Sequence, residues 1–552
     1  MASRHDCVTL YVDGIRYLDK PPLPYWAGAL GIRLFGPRDW AVRLTLAIAV
    51  LILTLYLYSM GRRWFSERAG FYSACAFATA IGPYLFTRFF IPDVIVALWM
   101  TISADLILRM VQGVEKEGGG AQLQAILFGL VCTAAVLTKG LIGIVFPVGL
   151  LVLYLLITGR GKYVFKMHPI LSAGTFLLTV LPWHILAAIQ NAASGQSRGW
   201  IWFYFVNEQV NRYLNKRIPR DYDKVPLLTF WLLLIVWLMP WGVFLISAAR
   251  QWWRTRRSPR LGGPRLLFAL WAVLIVGFFT FSTRQEYYTL PAVPALALLV
   301  GTYLASEDGT EATRDSAWGR ACSGILFIVG LAVSLVCGYF AIVAQSPRPG
   351  AELYQELTKH PEDYALSFGH FFDLTTTALG FFRIPLAGMA VSMLVMTGLT
   401  FWLRVKGKLY ASNLALAIGM CAVLACVHQG FEIFYPILGS EPLAKAIHQQ
   451  WHPGDTVVLD GEYSNGSSIN FYLGEPVSML NGRVNNLWYG SLYADAPHRF
   501  ETTESFQKLW QGPNRIFFVT HDAKRTTDWQ RDHGGTLVAS SAGKYVLLNH
   551  VP

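Results

Sequence analysis

Charge is scarce in this sequence: 14% of its 552 residues are Asp, Glu, Lys or Arg, against 54% hydrophobic. That balance excludes an ordinary water-soluble domain and points to a membrane protein. The formal net charge of +12 is spread over short gaps between apolar runs, so no basic stripe is left for DNA or RNA. Cysteine chemistry is missing too. Of seven cysteines, Cys75, Cys132, Cys322, Cys337, Cys421 and Cys426 lie in or beside apolar segments and Cys7 stands near the start; they form neither a disulfide framework nor a CxxC site. There is no HExxH, DxD, Walker loop or GxGxxG. Glu208, Glu286, His168 and His184 fall at no zinc spacing, and Gly118-Gly119-Gly120 lacks the strand and helix that would make a phosphate cradle. No cofactor or metal is therefore expected from the residues, with a divalent cation left open. Met1 to Arg16 is polar, without the apolar core of a signal peptide. No internal repeat or low-complexity stretch is present.

What is present is a series of apolar runs near the length needed to cross a hydrocarbon core. Spans are expected near 41–60, 70–86, 91–110, 123–138, 140–158, 170–189, 227–248, 266–282, 289–305, 321–344, 381–403 and 411–428, about twelve in all. Basic residues collect after alternate spans: Arg62, Arg63 and Arg68; Arg160, Lys162 and Lys166; Arg250, Arg254, Arg256, Arg257 and Arg260; Arg404, Lys406 and Lys408. The positive-inside rule puts these in the cytoplasm. The other gaps, 1–40, 87–90, 190–226, 283–288, 345–380 and everything after 428, then face outward. From about 440 the chain turns polar, with strand-like runs at 456–460, 515–519 and 545–548 and helical ones at 443–451 and 505–510. The expected organisation is an extracytoplasmic juxtamembrane segment (1–40), an α-helical polytopic membrane domain (41–428) and an extracytoplasmic soluble α/β domain (429–552).

The outward gaps hold the unusual polar residues. In Tyr17-Leu18-Asp19-Lys20-Pro21-Pro22 the prolines stiffen the backbone and hold Lys20, as a phosphate ligand or as a lysine snorkelling at a helix start. Asp93 follows Pro92 at the mouth of a span; it faces a cavity or pairs with Arg88. Trp200 to Phe205 suits a helix in the headgroup layer. Arg212 offers bidentate contacts to phosphate or carboxylate, whereas Lys216, Arg217, Arg220, Asp221, Asp223 and Lys224 read as a solvated cluster. Arg284 and Tyr288 read as phosphate and sugar ligands, or as an Arg284–Glu286 pair with a belt tyrosine. Lys139, in a very short outer turn, runs against the positive-inside bias.

Taken together, Arg16-Tyr17-Leu18-Asp19-Lys20-Pro21-Pro22-Leu23, the Arg88-x4-Asp93 turn, Asn207-Glu208-x3-Arg212 and Arg284-x3-Tyr288-x2-Pro291 resemble the GT-C glycosyltransferase superfamily of aminoarabinose (lipid A) transferases and protein O-mannosyltransferases. The resemblance is good over roughly residues 1–300 and extends to the rest in layout. It implies a GT-C-like membrane domain and a polyprenyl-phosphate-linked sugar as donor. It further implies a lipid A, glycan or protein acceptor, transfer with inversion, and a bacterial inner-membrane location with the site facing the periplasm. By the same resemblance Lys20 is a donor-phosphate ligand, with Arg212 and Arg284 as further phosphate or structural contacts. Asp93 is the catalytic, sugar- or acceptor-side carboxylate, and Tyr17 and Tyr288 line the donor cavity; Asp19 and Lys139 are expected at the same cavity. The chain departs from the family pattern in two places. Members carry a first transmembrane helix and an outer-loop acid ahead of the matched region, so the resemblance implies an N-terminally short chain; and Gln209 stands where many aminoarabinose transferases place a histidine. Other classes in play are a lipid-linked-sugar transporter and a catalytically impaired remnant.

Overall fold

A computed structural model describes residues 6–116, 121–220, 224–258, 262–309, 316–348, 350–358, 360 and 369–550. Asp221, Asp223 and Arg260, and parts of the polar loops expected at 116–120 and 306–315, lie outside the described residues.

All twelve expected spans fall on helices, but the count of twelve full crossings needs correcting. Among the described residues nine helices are long and apolar enough to cross a membrane, or ten if Leu227–Trp237 and Trp241–Thr255, bent by 99°, form one span. The run expected at 70–86 is two short helices, Glu67–Ala78 and Ile81–Leu85. The run at 140–158 is the 16-residue helix Ile142–Ile157. Hydropathy alone does not register such breaks, because Thr79 and Ala80 interrupt the helix without adding charge. The helix that carries the last expected span runs Leu409–Leu438, past the boundary expected at 428/429. His428, Gln429 and Glu432 lower the hydropathy there but are compatible with a helix.

The spans form a layered bundle. Asp93–Glu115 and Glu286–Glu307 are its centre, with 83% and 89% of their apolar windows buried, whereas Ala317–Val343 is 17% buried and presents its side chains outward. Away from the site the bundle is tied by polar locks. Asp105 accepts from Tyr56 Oη, Arg63 Nη1, Trp64 Nε1 and Arg109 Nε at 2.7–2.8 Å. Arg404, expected among the cytoplasmic charges, is instead fully buried, donating to Glu307 Oε2 at 2.5 Å and Asn413 Oδ1 at 2.6 Å. A buried ion pair of this kind is held by geometry on both sides rather than by solvent.

The C-terminal region is a six-stranded mixed sheet with order β5-β4-β3-β6-β8-β7: β3 Thr456–Asp460, β4 Val477–Leu480, β5 Phe500–Glu501, β6 Ile516–Thr520, β7 Thr536–Ser541 and β8 Lys544–Leu548. The central strands alternate between two apolar faces. Val457, Leu459, Phe517 and Val519 pack on Leu443 and Ile447; Val458, Ile516 and Phe518 pack on Phe506, Trp510 and Trp529. That two-sided burial is what parallel strands covered by helices require.

The segment before Lys20 is more than a tether. Leu10–Val12 (β1) and Ile15–Tyr17 (β2) pair antiparallel with Val12 opposite Ile15, joined by Asp13-Gly14, both at positive φ (52° and 89°). An Asp-Gly two-residue turn matches the twist of a hairpin. This hairpin is seated on the C-terminal region. Ile15 packs with Met479 and Leu487, Arg16 makes a bidentate pair with Asp495 at 2.6 and 2.9 Å, and its guanidinium lies 4.3 Å from the Tyr493 ring centre. Gly490 permits this approach, since a Cβ there would collide with the Arg16 carbonyl.

Candidate functional site

Strand β2 delivers Tyr17 and then the loop to Pro22, where the helix Leu23–Phe35 begins with Pro24 in its first turn. Within this loop Lys20 Nζ donates to Asp19 Oδ2 at 3.0 Å; Asp19 is buried while the Lys20 side chain is 30% exposed. The lysine is thus oriented from behind and open in front. Tyr17 meets Tyr25 edge-on, ring centres 6.4 Å apart. Burial, then Asp19 and Tyr25, pushes the Tyr17 phenol well above its usual range, so it stays a neutral donor.

Asp93 is the first residue of its helix and only 1% exposed. Both carboxylate oxygens accept from Lys139 Nζ at 2.5 Å. Lys139 closes the helix Gln122–Lys139, so the acid sits at a helix N-terminus and the ammonium at a C-terminus, each favoured by the local dipole. The ammonium also lies 4.6 Å from the Tyr288 ring centre and 5.4 Å from that of Tyr287, within cation–π range. Gly140 follows at φ +79°, and the Gln209 side chain lies where a Cβ would project. Arg88, the expected alternative partner of Asp93, instead stacks 4.2 Å over Tyr84.

The outer loop after the sixth expected span contributes Glu208 and Arg212 from Trp202–Asn211, wound as a wide π-type helix, and the residue after it. Glu208 accepts from Arg212 Nη1 at 3.2 Å and from Arg217 Nε at 2.6 Å. Arg217, expected in a solvated cluster, is 4% exposed at its side chain. It is drawn inward because the buried Glu208 needs a counter-charge. Asn207 fixes the return of this loop by donating to Ile218 O at 2.7 Å and accepting from Ile218 N at 3.0 Å. Burial, with Asp19 next, pushes the Glu208 carboxyl upward, and Arg217, Arg212 and Lys20 pull against it.

These pieces meet. Tyr17, Asp19, Lys20, Asp93, Lys139, Arg212 and Tyr288 line one cavity of about 280 Å³, with Tyr25, Glu208 and Gln209 among the other lining residues. Arg284 is the exception: it is not among the lining residues, and its Nε and Nη1 donate to the carbonyls of Val225 and Thr280 at 2.9 and 3.0 Å, a geometry that fits the structural alternative for this residue rather than the phosphate one. It clamps two chain segments together. Glu208 and Arg217 are the site residues that sequence reasoning passed over. The Glu208-x3-Arg212 spacing was a helical ion-pair signal, whereas nothing in the sequence singles out Arg217 from its charged neighbours. Among the described residues no group of three or more His, Cys, Asp or Glu is placed to hold a metal ion.

The family model described as dolichyl-phosphate-mannose-protein mannosyltransferase matches residues 19–186. An undecaprenyl phosphate-alpha-4-amino-4-deoxy-L-arabinose arabinosyl transferase from Aeromonas hydrophila is 28% identical over 344 residues, 60% of this chain and 59% of the relative. The Pseudomonas aeruginosa protein of the same description is 29% identical over 309 residues, 54% of this chain and 51% of the relative. The aligned part thus spans between half and three-fifths of these relatives' length. In fold, the crystal structure of ArnT from Cupriavidus metallidurans bound to undecaprenyl phosphate superposes with a TM-score of 0.81 at 23% identity, covering 100% of this chain and 91% of that one. This multi-pass membrane protein is thus similar in sequence to the mannosyltransferase family over residues 19–186 and to arabinosyl transferases over little more than half its length, and its fold is that of the ArnT structure.

Proposed function

We propose that the cavity transfers a sugar from a polyprenyl-phosphate carrier to a hydroxyl of lipid A, another glycan or a protein, with inversion, on the periplasmic face of a bacterial inner membrane. The observation that carries this reading is the convergence of five separate loops on one cavity, with Lys20 and Arg212 both at its wall. Three cations (Lys20, Lys139, Arg212) and three carboxylates (Asp19, Asp93, Glu208) line it, and Arg217 stands directly behind Glu208. That leaves one positive charge in excess, and a single phosphodiester anion neutralises it.

In the transfer, the bond from the anomeric carbon to the carrier phosphate breaks as the acceptor oxygen bonds to the opposite face of that carbon. Negative charge gathers on the departing phosphate, where Lys20 and Arg212 stabilise it in a site shielded from water. The acceptor proton passes to a carboxylate base. Asp93, at the cavity wall and paired with Lys139, is assigned that role on the acceptor side. Tyr17 and Tyr288 orient the sugar. The names of the arabinosyl transferase relatives support a lipid-phosphate donor; the family description favours, as a second reading, a mannosyl donor and a protein acceptor.

The test is consumption of radiolabelled polyprenyl-phosphate sugars by the purified protein, read as released polyprenyl phosphate. Lys20→Ala and Asp93→Asn are expected to lower turnover by about 100-fold or more, the usual loss when one stabilising group is removed. Equal turnover in both variants refutes the site. Translocation of the intact lipid-linked sugar would assign transport, and no consumption of any donor an inactive remnant.

A further inference from the structure

Beside the hairpin that precedes Lys20 lies a second, larger cleft of about 610 Å³, between the β1–β2 turn and the C-terminal sheet region. Tyr11, Asp13, Tyr463, Asn470, Asp495 and Arg499 line it. Most of these groups are already oriented. Asn470 Nδ2 donates to Asp13 Oδ1 and to the Glu475 carbonyl at 3.1 Å, Arg499 Nε donates to the Asp13 carbonyl at 3.2 Å, and Asp495 is held by Arg16. One atom is not accounted for: Asp13 Oδ2 is buried and accepts no hydrogen bond. A buried carboxylate oxygen without a well-formed donor is costly; the Val477 N–H lies near the Asp13 carboxyl, and the other groups of the cleft are two tyrosines, an amide, a guanidinium and the Asp495 carboxylate.

We propose that this cleft binds the carbohydrate portion of the acceptor, with a sugar hydroxyl donating to Asp13 Oδ2. The chemistry fits a polyhydroxylated ring. Asp13 and Asp495 accept from hydroxyls, Arg499 donates to them, the Asn470 amide oxygen accepts a further one, and the Tyr11 and Tyr463 rings offer apolar faces to the C–H side of a sugar. Strand β2 runs from this cleft to the transfer cavity, the one bounded by Asp13 and the other by Tyr17. Asp13 and Tyr17 are separated by Gly14, Ile15 and Arg16, at most about 13 Å of chain, a gap that a short oligosaccharide bridges. The direction of binding rests on the proposed sugar transfer; the existence of the subsite does not.

Titration calorimetry of the full-length protein in detergent with chitobiose and maltose tests it. Saturable binding of at least one disaccharide is expected, weakened about 10-fold or more in Asp13→Asn, because a charged acceptor is replaced by a neutral one. Asparagine tolerates the positive φ at this position, so the hairpin is retained and the melting temperature is not lowered. Lys20→Ala, in the other cavity, is expected to bind the disaccharide as the parent does. No saturable binding of either sugar, or equal binding by Asp13→Asn, overturns the proposal. Loss of binding in Lys20→Ala would also overturn it by placing the sugar in the transfer cavity. Turnover of a polyprenyl-phosphate sugar without disaccharide binding removes only this subsite, whereas binding without turnover removes only the transferase reading.

Discussion

Replacing Lys139 with Met isolates what the Asp93 pair contributes to the bundle. The two groups are 19% and 2% exposed and joined through both carboxylate oxygens, so the variant leaves a buried carboxylate with no direct counter-charge. Breaking one side of a buried pair costs about 3–5 kcal/mol. For a chain of this size that corresponds to a fall of about 3–4 °C in the apparent melting temperature. Asp93→Asn is expected to cost less, about 1–2 kcal/mol, because the stranded ammonium keeps the rings of Tyr287 and Tyr288 and some solvent. The double variant Asp93→Asn with Lys139→Met restores charge balance and is expected within about 1 kcal/mol of the parent. Tryptophan-fluorescence melts of the four proteins in one detergent form the cycle, and turnover of the stable double variant reports on chemistry apart from folding. Two results would refute the reasoning: a Lys139→Met protein that melts with the parent, or a double variant as unstable as the sum of the singles.

Arg284→Met should lower the melting temperature, since two backbone carbonyls lose a charged donor at about 1–3 kcal/mol. It should leave the KM for donor unchanged; a raised KM with an unchanged melt would return Arg284 to the cavity. Arg217→Met removes the shorter of the two ion pairs to the buried Glu208 and is expected to cost about 3 kcal/mol or more, checked by the same melts. Acidification should tighten the hairpin. Burial raises the Asp13 carboxyl to about 6 from 3.8, so the penalty for its charge is absent below about 4, grows between 4 and 6 and is full above 6. Cleavage of residues 8–18 in limited proteolysis should therefore slow from pH 7 to pH 4, and Asp13→Asn should abolish that trend.

Much of the fold was legible because the bilayer restricts what an apolar run can be. Every expected span is helical, and the strands at 456–460, 516–520 and 544–548 sit where alternating apolar residues placed them. The errors came from features that hydropathy does not measure. Thr79 and Ala80 break a run without a charge, and the helix ending at Leu438 continues through polar residues after 428. In the site, prolines beside Lys20 and Asp93 marked stiff loops with polar side chains, and these loops line the cavity. Pairing was less legible. Asp93 chose Lys139, 46 residues away, over the nearby Arg88, and Arg217 turned inward to Glu208. The Asp13-Gly14 turn, flanked by Val12 and Ile15, did carry a local hairpin signal; what no local pattern contained was its seat on Met479 and Leu487.

That seat ties two parts of the chain that are remote in sequence into one folding event. The loop with Lys20 takes its footing from residues 477–499, which every span of the bundle separates from it. A polypeptide cut between the two keeps the helices but leaves the loop with nothing to brace against. Truncation ahead of residue 477 is therefore expected to loosen the Lys20 loop while the spans persist.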